Sequence, residues 1–118
     1  MWSFGCIVLE FYAGVPVFPG ECEQDQINLI MEYIGLPPRS LLERATRAKY
    51  FFDETQNPLP YTTKKGVRRV VSSKSFEEFV GFRCPVFEDF IRGCLAWNPE
   101  ERFTPEEAFN HEWAQKFI

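Results

Sequence analysis

A chain of 118 residues supports one domain at most. An apolar content of 45%, including 13 phenylalanines, is ample for a core, and 7 glycines with 9 prolines exclude a low-complexity chain. A net charge of −4 offers no global basis for nucleic-acid binding.

From the start, Trp2, Phe4, Cys6, Ile7, Val8, Leu9, Phe11 and Tyr12 cover every side of a helix over residues 2–13. Such a helix is expected at the centre of a fold, covered on several sides. Ser3 and Glu10, seven apart, share roughly one face, and Glu10 is the helix's only charge. No capping residue precedes Trp2, which leads to the expectation that the chain starts in mid-fold. The loop AGVPVFPGE follows, with Val17 and Phe18 as apolar plugs.

Ile27, Ile30, Met31 and Ile34 predict a helix over 24–34, stopped by Gly35. After Pro37-Pro38, Ser40 and Glu43 predict a capping box and a helix to about Lys49. Residues 53–75 show no sustained period and read as an exposed insert. Within it, Lys64, Lys65, Arg68, Arg69 and Lys74 read as solvated, with contact to phosphate or nucleic acid as the alternative. Ser72, Ser73 and Ser75 are weaker candidates as phosphoacceptors.

Phe76–Val80 predicts one or two helical turns. Val86, Phe87, Phe90, Ile91, Cys94 and Leu95 then form the apolar stripe of a helix over 85–95. Asn98-Pro99 makes a turn. Thr104, Pro105 and Glu107 predict a second capping box with proline at the first helical position, and HEWAQKFI closes the chain. No strand alternation and no internal repeat appear, so the expected fold class is all-α.

No apolar run approaches the roughly 18 residues that cross a bilayer, so no membrane partner is expected. Nothing at the start has the pattern of a secretory signal. Cys6, Cys22, Cys84 and Cys94 form no C-x-x-C pair, which argues against a zinc site and for reduced thiols in the cytoplasm or nucleus.

MWSFGCIVLEFYAGVPVFPGE resembles the F helix of eukaryotic protein kinases, D-x-W-S-x-G-C with a glutamate one turn on and then G-x-P-x-F. CLAWNPEERFTPEEAFNHEW resembles the closing kinase segment, C-L-x-x-x-P-x-x-R-x-T-x-x-x-A-x-x-H-x-W. Between them, GLPPRSLLERATRAKYFFD and a basic, proline-containing insert look like the DYRK branch of the CMGC kinases. The resemblance covers essentially the whole chain and is weakest from Glu54 to Cys84.

The resemblance implies the distal helical half of a kinase C-terminal lobe, helices F to I with a CMGC-type insert, incomplete as a domain. A complete parent would use ATP and magnesium to phosphorylate protein hydroxyls. This sequence holds no cofactor motif of its own. The F-helix aspartate is absent because Met1 stands just after its position, and no G-x-G-x-x-G occurs. The single histidine, His111, precedes Glu112 and not Arg-Asp, and Asp89-Phe90-Ile91 imitates D-F-G without the glycine. No residue is therefore assigned to catalysis, cofactor or metal binding.

Trp2, Ser3, Gly5, Trp97, Pro99, Arg102, His111 and Trp113 carry the structural motifs. Trp97, Pro99 and Trp113 are expected to pack. The family's partner for Arg102 is a glutamate upstream of this sequence, so Arg102 is either under-used or solvated here. A lone histidine such as His111 is read as structural. The resemblance implies that Glu10 is the candidate for substrate recognition, accepting a peptide arginine, and the alternative is a structural glutamate bonded to the loop after its helix. Expected partners are protein substrates or the remaining portion of a kinase. The competing functional readings are a non-catalytic helical interaction module and a relic without independent function.

Overall fold

The computed structural model describes residues 1–117, so only Ile118 of the closing segment lies outside the described residues. Seven α-helices occur among them: α1 (Trp2–Ala13), α2 (Glu23–Ile34), α3 (Arg39–Arg44), α4 (Phe76–Val80), α5 (Pro85–Cys94), α6 (Pro105–Phe109) and α7 (Glu112–Gln115). The described residues contain no strand, only isolated antiparallel bridges at Phe52–Pro58 and Thr62–Arg68. The chain is all-α. It divides into two compact units, one of Met1–Val17 with the segment from Ser75 onward, the other Phe18–Lys74.

In the first unit α1 packs on α5, and Gly5 makes the close approach possible. A Cβ at Gly5 would lie 2.7 Å from Cys94 Cβ and 3.1 Å from Leu95 Cδ2. Gly14, with φ 76° in the left-handed region, ends α1 and donates its N–H to Glu10 O at 2.7 Å. Leu9, Phe76, Phe87, Phe90, Ile91, Cys94, Leu95 and Ala108 are buried. Each large apolar side chain removed from water in this way contributes about 1.5–3 kcal/mol. Val86, expected in the stripe, is only half-buried, and Phe109 is exposed.

The Thr104 capping box forms as expected. Glu107 N donates to Thr104 Oγ1 and Thr104 N donates to Glu107 Oε1, both at 3.1 Å. Ser75 caps α4 by accepting from Glu78 N at 3.3 Å. Gly93 is a requirement that the helical stripe concealed: a Cβ there would fall 2.1 Å from Phe103 Cε2. The Phe103 N–H donates to Gly93 O at 2.8 Å, holding the segment after the Asn98 turn against α5.

The helix α1 is covered on one side only, as expected of an apolar helix that starts in mid-fold. Leu9 and Gly5 are buried, yet Phe4, Ile7 and Phe11 are 48%, 52% and 84% exposed. They recur at i, i+3 and i+7, so one whole face of the helix is apolar and open.

In the second unit Leu29, Met31 and Phe52 form the apolar core. The last turn of α2 lends carbonyls to the segment leading out of the insert: Ser72 N donates to Met31 O at 2.9 Å and Lys74 N to Glu32 O at 3.0 Å. Gly35 follows at φ 88°.

The Ser40–Glu43 capping box does not form. Pro38 occupies the cap position and α3 begins at Arg39, which places Ser40 in the first turn, where the Pro38 carbonyl accepts the Leu41 and Leu42 N–H groups at 3.0 and 3.2 Å. The helix ends at Arg44 and does not reach Lys49; Ala48–Tyr50 is a separate 3-10 turn. Residues 53–75 contain no helix and are largely exposed, although Thr63 is buried.

Candidate functional site

The half-buried Glu10 projects from α1 beside an open cleft of about 400 Å³, lined with Ile7, Phe11, Gly14, Val15 and Pro16. Its Oε2 accepts the N–H of Val17 at 3.2 Å, across the loop that Gly14 opens. Oε1 has no hydrogen-bond partner among the described residues. The carboxylate is thereby aimed by the loop while one oxygen stays available. Carboxylates in apolar surroundings are retained when a partner satisfies them, and Val17 does so only in part.

The half-buried Arg102 pairs with no carboxylate among the described residues. Its Nε donates to Ala96 O at 3.0 Å and its second terminal nitrogen to Trp97 O at 3.2 Å. The guanidinium carbon stands 5.4 Å from the Trp2 ring centre, and Trp2 and Trp97 lie 6.0 Å apart. Planar guanidinium suits this double task of bonding carbonyls and covering a ring. Ser3, between Trp2 and Phe4, is exposed. Pro99 is exposed too, correcting the expectation that it packs. It follows Asn98, whose O accepts from Glu101 N and Arg102 N and whose Oδ1 accepts from Glu100 N. The fixed φ of proline at the second position of that turn is its contribution.

His111 uses both ring nitrogens. Nδ1 accepts the Trp113 N–H at 3.0 Å, capping α7, which leaves the proton on Nε2 to donate to Asp89 Oδ2 at 2.7 Å. The imidazole ring also lies edge-on to Phe90, 5.3 Å between centres. Trp113 stacks at 4.7 Å from Phe90 and 5.2 Å from Phe87. Asp89, the first residue of the D-F-I imitation, is thus engaged on α5.

Residues 18–74 hold a polar cluster that the sequence reading missed. Asp25, Asn28 and Glu32 are buried on one face of α2. Arg69 donates from Nε to Asp25 Oδ1 at 3.0 Å and from a terminal nitrogen to Oδ2 at 3.3 Å. Its other terminal nitrogen is 3.7 Å from Glu32, which also faces Lys74 Nζ at 3.5 Å. Burial raises the Asp25 carboxyl, but the Arg69 hydrogen bonds, the Glu21 N–H and the Arg69 charge together hold it below the usual carboxylate range. Arg69 and Lys74 are therefore not merely solvated. The readable signal was polar residues at 25, 28 and 32, an i, i+3, i+7 stripe.

Burial pushes the Cys6 thiol up to about 11, aided by the Glu10 charge, and pushes Cys94 up to about 11 as well. Neither thiol has the depressed value of a reactive nucleophile. Among the described residues, no three of His, Cys, Asp and Glu converge as metal ligands.

Residues 1–114 match the family model for the protein kinase domain. The chain belongs to the protein kinase family. Several proteins it resembles are kinases of the DYRK family. It is 44% identical to the DYRK-family kinase pom1 of Schizosaccharomyces pombe, over 96% of this chain and 10% of that protein. It is 46% identical to dual specificity tyrosine-phosphorylation-regulated kinase 2 of Drosophila melanogaster, over 98% of this chain and 16% of that protein. Identity to the human kinase 4 of the same designation is 42%, over 96% of this chain and 22% of that protein. The kinase-family chain thus spans only a small part of each relative's length. No helix among its described residues is long and apolar enough to cross a membrane.

Proposed function

We propose that this chain is the helical, substrate-facing part of a DYRK-type protein kinase whose complete form transfers the γ-phosphoryl group of ATP, with magnesium, to protein hydroxyls. Its contribution is scaffold together with one recognition group, Glu10, which accepts an arginine of the substrate peptide. The observation that supports this reading is the half-engaged carboxylate: Val17 N–H takes Oε2 and leaves Oε1 for a donor in the adjoining cleft. A guanidinium matches such a site because its planar fork can bond both oxygens of a carboxylate.

The residues present do not fit Mg·ATP. Asp89 is committed to His111, and no glycine-rich phosphate loop occurs in the sequence. No step of phosphoryl transfer is therefore assigned to this chain. The remaining portion of a kinase is its proposed partner in catalysis, with protein substrates as the second class. Cytoplasm or nucleus is the proposed compartment, supported by four free cysteines.

The exposed face of Phe4, Ile7 and Phe11 favours a second reading, a non-catalytic helical module that binds another protein through that face. Calorimetric titration of the 118-residue chain with Mg·ATP tests the assignment of nucleotide chemistry elsewhere. No heat of binding is expected at micromolar nucleotide. Saturable micromolar binding would overturn it.

A further inference from the structure

Charge is unevenly distributed along this chain. Residues 18–74 carry nine Lys and Arg against seven Asp and Glu, and the other unit carries four against ten. Within 18–74, Arg47, Arg69 and Lys74 are spent in ion pairs. Lys64, Lys65 and Arg68 are all exposed, and among the described residues no carboxylate pairs with any of the three side chains.

The backbone under these cations is firmly held. Thr62 and Arg68 form an antiparallel bridge. Within it Thr63 N donates to Val67 O and Gly66 N to Thr63 O, both at 2.9 Å. The buried Thr63 accepts the Val67 N–H on its Oγ1 at 3.0 Å, and Gly66 supplies the left-handed φ of 83° that closes the turn. Glu21 accepts the Lys64 N–H at 3.0 Å and the Tyr61 hydroxyl at 2.9 Å, tying the turn to the start of α2. Val67 and Val70, 42% and 62% exposed, flank the cations.

We propose that the turn Thr63–Val67 with Arg68 is a docking knuckle for an acidic peptide segment. Carboxylates of the partner meet Lys64, Lys65 and Arg68, and an apolar side chain of the partner rests on Val67 and Val70. Three unpaired cations within five residues create a local positive potential, and a turn already fixed by hydrogen bonds loses little backbone freedom on binding. A peptide fits better than a nucleic acid because the exposed Val67 and Val70 beside the cations offer apolar contact that a phosphate backbone would not use, and three unpaired cations make a short patch, not an extended basic stripe.

The test is fluorescence polarisation of the 118-residue chain with a labelled peptide of six glutamates around one valine, at low salt. Saturable binding is expected, weakened about tenfold or more by K64E/K65E and less than about twofold by the equally charged exposed pair R44E/K49E. The peptide with glutamine in place of glutamate should not bind. Circular dichroism of both double variants should match the parent, since all four residues are exposed. Absence of saturable binding, or equal weakening by the two pairs, would overturn the proposal. So would an RNA hexamer that binds more tightly with the same dependence on Lys64 and Lys65.

Discussion

Gly5 lies so close to Cys94 that a methyl group on its Cα would stand 2.7 Å from Cys94 Cβ, well inside contact distance. The obstacle is a β-carbon fixed to a helix backbone, not the end of a flexible chain, so α1 and α5 must separate to admit it. Gly5→Ala is expected to destabilise the chain by about 1–3 kcal/mol through overpacking, despite alanine's better helix propensity. A thermal melt reads the change. A variant that melts at or above the parent's temperature would show that the two helices do not meet at this point.

Arg69 and Asp25 make stability depend on acidity. The folded-state value of Asp25 lies below its unfolded value of about 3.9, so the carboxylate stabilises the fold fully above that point. That contribution is lost as pH falls through the lower, folded value. Denaturant midpoints measured from pH 6 down to pH 2 should fall in the acid range for the parent and fall less steeply for Asp25→Asn. Arg69→Met should cost about 3 kcal/mol at neutral pH, because it leaves Asp25 buried without its cation. A loss under about 1 kcal/mol would remove the pair from the core of this unit.

Arg102 anchors the turn after α5 through two carbonyls and the Trp2 ring. Arg102→Ala is expected to cost about 2 kcal/mol, the scale of hydrogen bonds to a charged donor, more than a solvated arginine would lose. Arg102→Lys should recover less than half of it, since an ammonium cannot bond both carbonyls and cover the ring together. Chemical denaturation of the two variants checks this, and full recovery by lysine would reduce the role to charge alone.

How far these contacts could be read in advance depends on sequence distance. The Thr104 capping box was legible because donor and acceptor sit three residues apart and serve one helix end. The same local pattern misled at Ser40, where Pro38 takes the cap position and shifts the helix start by two residues. The kinase resemblance was carried by Trp2, Gly5, Arg102, His111 and Trp113, and the fold gives several of them physical content. Gly5 admits Cys94, and His111 caps α7. Arg69 was illegible for a different reason: its partner lies 44 residues away, and no periodicity links a loop arginine to a helical aspartate. Gly93 could have been suspected, since a glycine within an apolar helical stripe costs about 1 kcal/mol relative to alanine unless packing requires it.

The open face of α1 should be sticky. Phe4, Ile7 and Phe11 lie on one side of the helix, and the exposed Phe109 adds to the apolar surface of the same unit. The chain is expected to bind a hydrophobic dye and to self-associate as concentration rises, and Ile7→Glu with Phe11→Glu should reduce both. Sedimentation and dye fluorescence together test this. A monodisperse monomer without dye binding would mean that the face is covered in solution.

The most direct test of the functional account concerns Glu10, which lines a cleft of about 400 Å³ and whose Oε2 is held by Val17. In a complete kinase that carries this segment, kcat/KM is measured for two peptides differing only in one upstream arginine, with Glu10 intact and as Glu10→Gln. Loss of a charged hydrogen bond should lower kcat/KM for the arginine peptide by an amount equivalent to about 1–3 kcal/mol and leave the arginine-free peptide unchanged. Equal losses for both peptides would contradict recognition and leave Glu10 as the residue that fastens the loop at Val17.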